Sequence, residues 1–415
     1  MIRSTSHSLK FANAFKQKAL ANFISRYQEM TEKYINVIWN SYPNLSHSML
    51  DNDICKKILT TAEWDSRIRQ CAAKQACSIV NGGKSKRRKQ EYVLKKLQAE
   101  GLNSAYLQRK MDVKPIITKP ILNTFNVELD SRFVDIQERK GHFDLFIQID
   151  EIGNKEKIRI PINHSKVSRK WLKQGKLKPS IRINNENIVL FFEVPETTKN
   201  STGRTVGADQ GKITVLSLSD GQVTKPNKHN HDLNTISRVL ALKQKGSKAF
   251  GRAVAHRKNY INWSLNQLNW NAVKEVKFEK IKDLRRNKRC SRLLSHWVYP
   301  LIKQKVVRLS EEKGFLFTEQ DNKFRSQRCS ECGWVHKSNR KGKTFKCSNT
   351  DCGFTTDSDL NAASNHEIEL PDVPKEVWQK HINRSPGFFW TANGVEFGQE
   401  SIVPDTQKTN LHILQ

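Results

Sequence analysis

Two close pairs of cysteines carry the sharpest chemical signal in the sequence. Two residues separate Cys329 from Cys332, four separate Cys347 from Cys352, and fourteen lie between the pairs. Thiolates at this spacing, presented on two hairpin-like knuckles, surround a Zn²⁺ ion tetrahedrally. Gly333 and Gly353 follow the second cysteine of each pair, where a tight turn needs a residue without Cβ. Four thiolates leave no ligand position for water, so the expected zinc ribbon is structural, contributing on the order of 10 kcal/mol of folding free energy. The remaining cysteines (Cys55, Cys71, Cys77 and Cys290) are scattered and read as ordinary buried thiols.

A second set consists of acids at the ends of expected elements. Asp209 closes the strand that begins near Val206, Glu279 ends the strand from Val273, and Asp359 opens the helix Asp359–Asn365. Each acid alone is more often a turn former or a cap. Together they suggest a ribonuclease-H-like sheet, in which the first and fourth strands are neighbours and Asp209 meets Glu279. Such a cluster suits two Mg²⁺ ions about 4 Å apart, one activating water and the other stabilising the leaving oxygen in phosphodiester cleavage.

Composition points to the same substrate class. The chain has 415 residues, 72 Lys and Arg against 41 Asp and Glu, and a formal net charge of +31. At 37% hydrophobic it has material for real cores, and its length predicts about two to four domains. A folded protein this basic has a polyanion as its expected partner. Two cationic runs, Lys84, Lys86, Arg87, Arg88 and Lys89, then Arg285, Arg286, Lys288 and Arg289, are expected to touch phosphates. No apolar run is long enough to span a membrane, and Met1–Phe23 lacks a signal peptide's apolar core. Sparse cysteine fits a reducing interior.

The elements that must position these groups follow from periodicity. Leu20, Phe23, Ile24, Tyr27, Met30, Tyr34, Val37 and Ile38 form a stripe of period 3.6, predicting a helix over 15–39. Further helices are expected over 54–80 and 91–111, with Gly82-Gly83 between them and Lys84–Lys89 as a loop or first turn. From Pro115 the period falls to two, through Phe143–Ile149, Ile158–Ile162, Ile181–Ile183 and Ile188–Val194, with Asn184–Asn187 as a hairpin loop. That spacing suggests a small barrel or a curled sheet. After a polar boundary at 196–204 come a hairpin, a basic helical region over 233–268, the Val273–Glu279 strand, an amphipathic helix over 293–309 and a strand over 315–318.

The ordered set VGADQGK, VKFEKIKDL, FRSQRCSECG, FKCSNTDCGF and DSDLNAASN, spanning about 205–367, resembles the nuclease half of transposon-encoded TnpB proteins and of miniature type V-F CRISPR effectors. The resemblance implies that Asp209, Glu279 and Asp359 form a RuvC-like site using two Mg²⁺, with Asn361 and Arg325 in support. It also makes Arg325 a candidate nucleic-acid contact. The implied architecture is multidomain α+β: a first wedge strand over 1–14, a helical recognition domain over 15–112 and a wedge β-barrel over 113–200. The nuclease follows over 201–326 and 355–368, with a zinc ribbon inserted over 327–354 and a tail over 369–415. Gln210, where a hydrophobic residue is commoner, and the widened second cysteine pair depart from the pattern but leave the ligands in place.

The implied activity is RNA-guided DNA cleavage in a prokaryotic cytoplasm. Guide RNA pairs with target DNA beside a short motif read by protein, and a single site cuts double-stranded and single-stranded DNA. Miniature effectors commonly act as a homodimer on one guide RNA and TnpB as a monomer, so the partner in the assembly depends on which of the two the chain resembles more. A nuclease-dead, RNA-guided repressor is the third reading; it is expected to lack an acid, and here all three remain.

Overall fold

The computed structural model describes residues 1–42, 55, 57–58, 66–101, 103–113, 119–122, 125–138, 141–150, 157–281, 299–377, 379 and 387–397. These fall into two compact units, Met1–Pro195 and Glu196–Gln415. No described helix is long and apolar enough to cross a membrane.

In the first unit the strand Ile2–Ser8 pairs antiparallel with Asn187–Glu193, which pairs in turn with Lys176–Ile183, and that with Val127–Leu129. Val134–Glu138, Leu145–Asp150 and Lys157–Ile162 make a separate three-stranded sheet. The described ladders therefore give two open sheets where a closed barrel was expected. Alternation nevertheless holds along Leu145–Asp150, where Leu145, Ile147 and Ile149 are all fully buried. The Asn184–Asn187 hairpin is also present: Asn184 Oδ1 accepts from the backbone of Glu186 and Asn187, satisfying two donors in the turn.

The helix Ala14–Ser41 is capped by Asn13, whose Oδ1 accepts from Lys16 N at 2.9 Å. Its apolar stripe, Leu20 through Ile38, is buried. That stripe shares one core with the two sheets and with Ile68, Ala72, Ala76 and Val80, so the helical and strand-rich stretches are not separate cores. Gly82-Gly83 does not interrupt the chain as expected. A single helix, Ser66–Ala99, runs through the glycine pair and on through Lys84–Lys89. Each glycine costs about 1 kcal/mol in a helix, but the buried face before the pair and the good helix formers after it outweigh that.

In the second unit Arg204–Asp209, Val273–Lys280 and Leu316–Asp321 form a parallel sheet with Val273–Lys280 in the middle, and Ser217–Leu218 adds an antiparallel edge. The helices Leu233–Ala241, Lys248–Gln267 and Tyr299–Lys313 bury Leu233, Ile236, Ile261, Leu265, Ile302 and Val306 with the sheet residues Val206, Val276 and Phe278 in one core. The expected helix over 293–309 is thus seen from Tyr299, and its start, with Leu294 and Trp297, lies outside the described residues. The tail acquires a role: Phe388–Thr391 and Gly394–Phe397 form a hairpin that pairs with Trp334–Val335 beside the cysteines.

Candidate functional site

Sheet register brings the first two acids together. Phe278 lies opposite Ala208, so Asp209 and Glu279 leave adjacent parallel strands at the same end. The third comes from the helix Ser358–Glu367, started by Asp357, whose side chain accepts from the backbone of Asp359 and Leu360. This helix lies directly on the first strand. A Cβ built on Gly207 would stand 2.0 Å from the carbonyl oxygen of Ala363 and 2.9 Å from the carbonyl carbon of His366. Only glycine allows that approach, which suspends Asp359 and His366 beside Asp209. Gly207→Ala is therefore expected to push the helix away, destabilising the unit by about 1–3 kcal/mol and abolishing stabilisation by added divalent cation. Thermal melts with and without Mn²⁺ check both effects.

Asp209, Glu279, Asp359, Gln210, Asn322, Arg340, Lys343 and His366 line a cavity of about 570 Å³. Asp209 and Asp359 are 8% and 5% exposed. Burial pushes the Asp209 carboxyl well above the usual carboxylate range, and the charges of Glu279 and Asp359 push it the same way. Glu279 is also raised by burial, opposed by a hydrogen bond from Asn322 Nδ2 at 3.3 Å. Asp359 differs from the other two: Arg340 Nη2 donates to Oδ1 at 3.1 Å and Lys343 Nζ donates to Oδ2. Both cations come from the ribbon between the cysteine pairs.

Among the described residues, two buried polar atoms at this site lack a hydrogen-bond partner, Gln210 Oε1 and His366 Nδ1. The carboxylates of Asp209 and Glu279 and a ring nitrogen of His366 lie within 4.8 Å of one another. Burial and the charge of Arg325 push His366 down to about 3, so its imidazole is neutral. Raised carboxyls and orphaned lone pairs around one cavity are what a divalent cation would satisfy. His366 was missed in the sequence, although it lies seven residues after Asp359 and hence on the same helix face.

The four ribbon cysteines also converge, with all sulfurs within 4.8 Å of one another. Gly333 and Gly353 have φ of 80° and 60°, the left-handed turns expected of the knuckles. Backbone amides of Glu331 and Cys332 point at Cys329, and that of Asn349 at Cys347, each favouring thiolate. Burial acts in the other direction, pushing Cys329 up to about 11 and Cys347 higher still. The set fits a tetrahedral soft cation.

Polar bolts join the ribbon base to the helix of Asp359. Asn361 accepts from Ser330 N at 3.0 Å and donates to Arg328 O at 2.8 Å, while Arg328 Nη1 donates to Asn365 Oδ1 at 2.5 Å. Arg325 is corrected as a nucleic-acid contact. It is 5% exposed, and its guanidinium donates to the carbonyls of Asp321, Asn365 and Ile368, bracing the sheet against the helix end. Of the first cationic run, Arg88 and Lys89 are exposed, whereas Lys84 Nζ lies 5.0 Å from the centre of the Trp39 ring. The side chains of Lys86 and Arg87, and all of Arg285, Arg286, Lys288 and Arg289, lie outside the described residues.

A family model described as Cas12f1-like, TNB domain matches residues 301–366. The CRISPR-associated endodeoxyribonuclease Cas12f1 of Sulfoacidibacillus thermotolerans is 41% identical over 88 residues, 21% of this chain and 20% of that protein. A TnpB-like protein of Aquifex aeolicus is 31% identical over 104 residues, 22% of this chain and 32% of its own length. The matches thus span a fifth to a third of these curated relatives. A Cas12f1–sgRNA–target DNA complex aligns over 85% of this chain and 82% of its own, with a TM-score of 0.50 at 15% identity. The mini-RNA-guided endonuclease CRISPR-Cas_phi3 aligns over 89% and 93%, with 0.53 at 9%. In sequence around the ribbon and in its mixed α/β fold, the chain is similar to the miniature CRISPR-associated nucleases of type V.

Proposed function

We propose that the chain is a CRISPR-associated, RNA-guided DNA endonuclease with one RuvC-like site formed by Asp209, Glu279 and Asp359. The convergence of these acids in one buried cavity beside a four-cysteine ribbon carries the reading. Divalent cations bound there, Mg²⁺ by the resemblance to RuvC-like sites, would lower the pKa of water and neutralise charge on the leaving oxygen. Asp209 and Glu279 would hold such a cation and lose their protons to solvent on binding it, since their burial makes the ionised pair costly without a cation. Asp359 gives up its contacts with Arg340 and Lys343, which leaves two cations on the cavity wall for phosphate oxygens.

The remaining parts follow the division of labour in which base pairing reads sequence and protein grips backbone. Residues 1–14 and 113–200 serve as a wedge and 15–112 as recognition helices holding guide RNA, with Arg88 and Lys89 on phosphate. Target DNA, double-stranded and unwound, is the substrate, Zn²⁺ is held by Cys329, Cys332, Cys347 and Cys352, and the prokaryotic cytoplasm is the setting. The TnpB-like relative supports a second reading, a transposon-encoded nuclease with the same chemistry and a different guide. Sequencing the RNA that copurifies separates them. CRISPR repeat sequence is expected, transposon-end sequence favours the second reading, and absence of any bound RNA overturns both.

A further inference from the structure

His366 lines the cavity, and the three-acid scheme does not use it. Its side chain is 1% exposed, Nδ1 has no hydrogen-bond partner, and the ring stands within 4.8 Å of the donor oxygens of Asp209 and Glu279. Asp359 stands outside that tight group, and both its oxygens are engaged by Arg340 and Lys343. A histidine buried for packing alone finds a hydrogen bond for its ring nitrogen. The charged neighbour that faces it, Arg325, is committed to backbone carbonyls and offers no acceptor. What remains for the imidazole lone pair is a cation held by the two carboxylates.

We infer that His366 is a nitrogen ligand of the divalent cation shared by Asp209 and Glu279, giving a two-carboxylate, one-imidazole set that favours Mn²⁺ over Mg²⁺. The preference follows from donor chemistry. Mg²⁺ demands near-octahedral oxygen ligands and dehydrates reluctantly, whereas imidazole suits first-row transition metals. Helix geometry supports a shared role: Asp359 and His366 are two turns apart on one face, so the helix that Gly207 admits presents both to the cavity that holds Asp209.

The inference rests on the proposed cation site, and its test separates the two. The full-length protein, with zinc already in the ribbon, is titrated with Mn²⁺ and studied by electron spin-echo spectroscopy, which detects directly coordinated ¹⁴N. A nitrogen coupling is expected in the wild type, lost in both His366→Leu and Asp209→Asn. The same leucine variant should lose about tenfold or more in Mn²⁺ affinity with a smaller change for Mg²⁺. Manganese bound in an Asp209-dependent way without nitrogen coupling overturns the role of His366 and leaves the acid site standing. A coupling that survives His366→Leu overturns it as well. No Asp209-dependent Mn²⁺ binding overturns both. Should His366→Leu fail to fold, loss of the wild-type coupling in Asp209→Asn still decides, because His366 is the one imidazole grouped with that carboxylate among the described residues.

Discussion

Asp209→Asn should lower guided DNA cleavage by on the order of 10³-fold or more while leaving guided binding intact, and should make the metal-free protein more stable at neutral pH. The second half follows from linkage. The folded-state pKa of Asp209 is raised, chiefly by burial and then by Glu279 and Asp359, so the native chain binds more protons than the unfolded one. Stability of the metal-free wild type therefore falls as pH rises from the usual carboxylate range toward the raised value. Asparagine is neutral throughout and removes that dependence. Melting temperatures at pH 5 and pH 8 should differ less in the variant, which at pH 8 should melt a few degrees above the wild type. Divalent cation reverses the order, since it binds the ionised wild-type pair and not the variant, and its affinity rises with pH over the same window. Undiminished cleavage would sink the site assignment. Identical pH dependence in the two proteins would sink the account of why the cavity needs a cation.

The acids and cysteines were readable from sequence because each stands at a boundary that local chemistry marks. Asp209 ends the short strand Arg204–Asp209, Asp359 follows a capping Asp357, and Gly333 and Gly353 mark turns that need positive φ. Their convergence required one fact beyond local pattern, the parallel pairing of Arg204–Asp209 with Val273–Lys280, which the ribonuclease-H-like order supplied. Residues whose role depends on a close approach were not readable. Gly207 looks like any strand glycine until a helix lies on it, and His366 looks like a helix-end histidine until that contact turns it toward Asp209. Arg325 had two expected roles from the resemblance, support of the site and contact with nucleic acid. Its guanidinium satisfies the last carbonyls of a helix that would otherwise be buried unpaired, which fits the first and not the second. The glycine pair at 82–83 misled through local propensity, which the long-range burial of Cys71, Ala72, Ala76 and Val80 overrode.

Cys347→Ser should remove the ribbon metal and, with it, cleavage at a site that contains no cysteine. Without a cation, four clustered sulfurs cannot all ionise: burial holds Cys329 near 11 and Cys347 higher, so the metal-free ribbon exchanges thiolate–metal bonds for buried thiols. The local cost is on the order of several kcal/mol, enough to unfold a segment whose apolar cluster holds little beyond Phe345, Trp334 and Phe354 besides the cysteines. Loss then spreads along two routes. Arg340 and Lys343 leave the cavity wall, and the bolts from Ser330 and Arg328 to Asn361 and Asn365 release the helix that carries Asp359. The tail hairpin, paired to Trp334–Val335 and joined by the Arg328 hydrogen bond to Trp390 O at 2.6 Å, loses its partner as well. Elemental analysis should find about one zinc per wild-type chain and a small fraction of that in the variant. Hydrogen exchange should quicken in 327–357 and 388–397 and at the start of the helix Ser358–Glu367, while the core of the first unit stays protected. Full zinc occupancy in Cys347→Ser would refute the ligand assignment. A zinc-free protein that still cuts at the wild-type rate would show that the ribbon does not hold Asp359 in place.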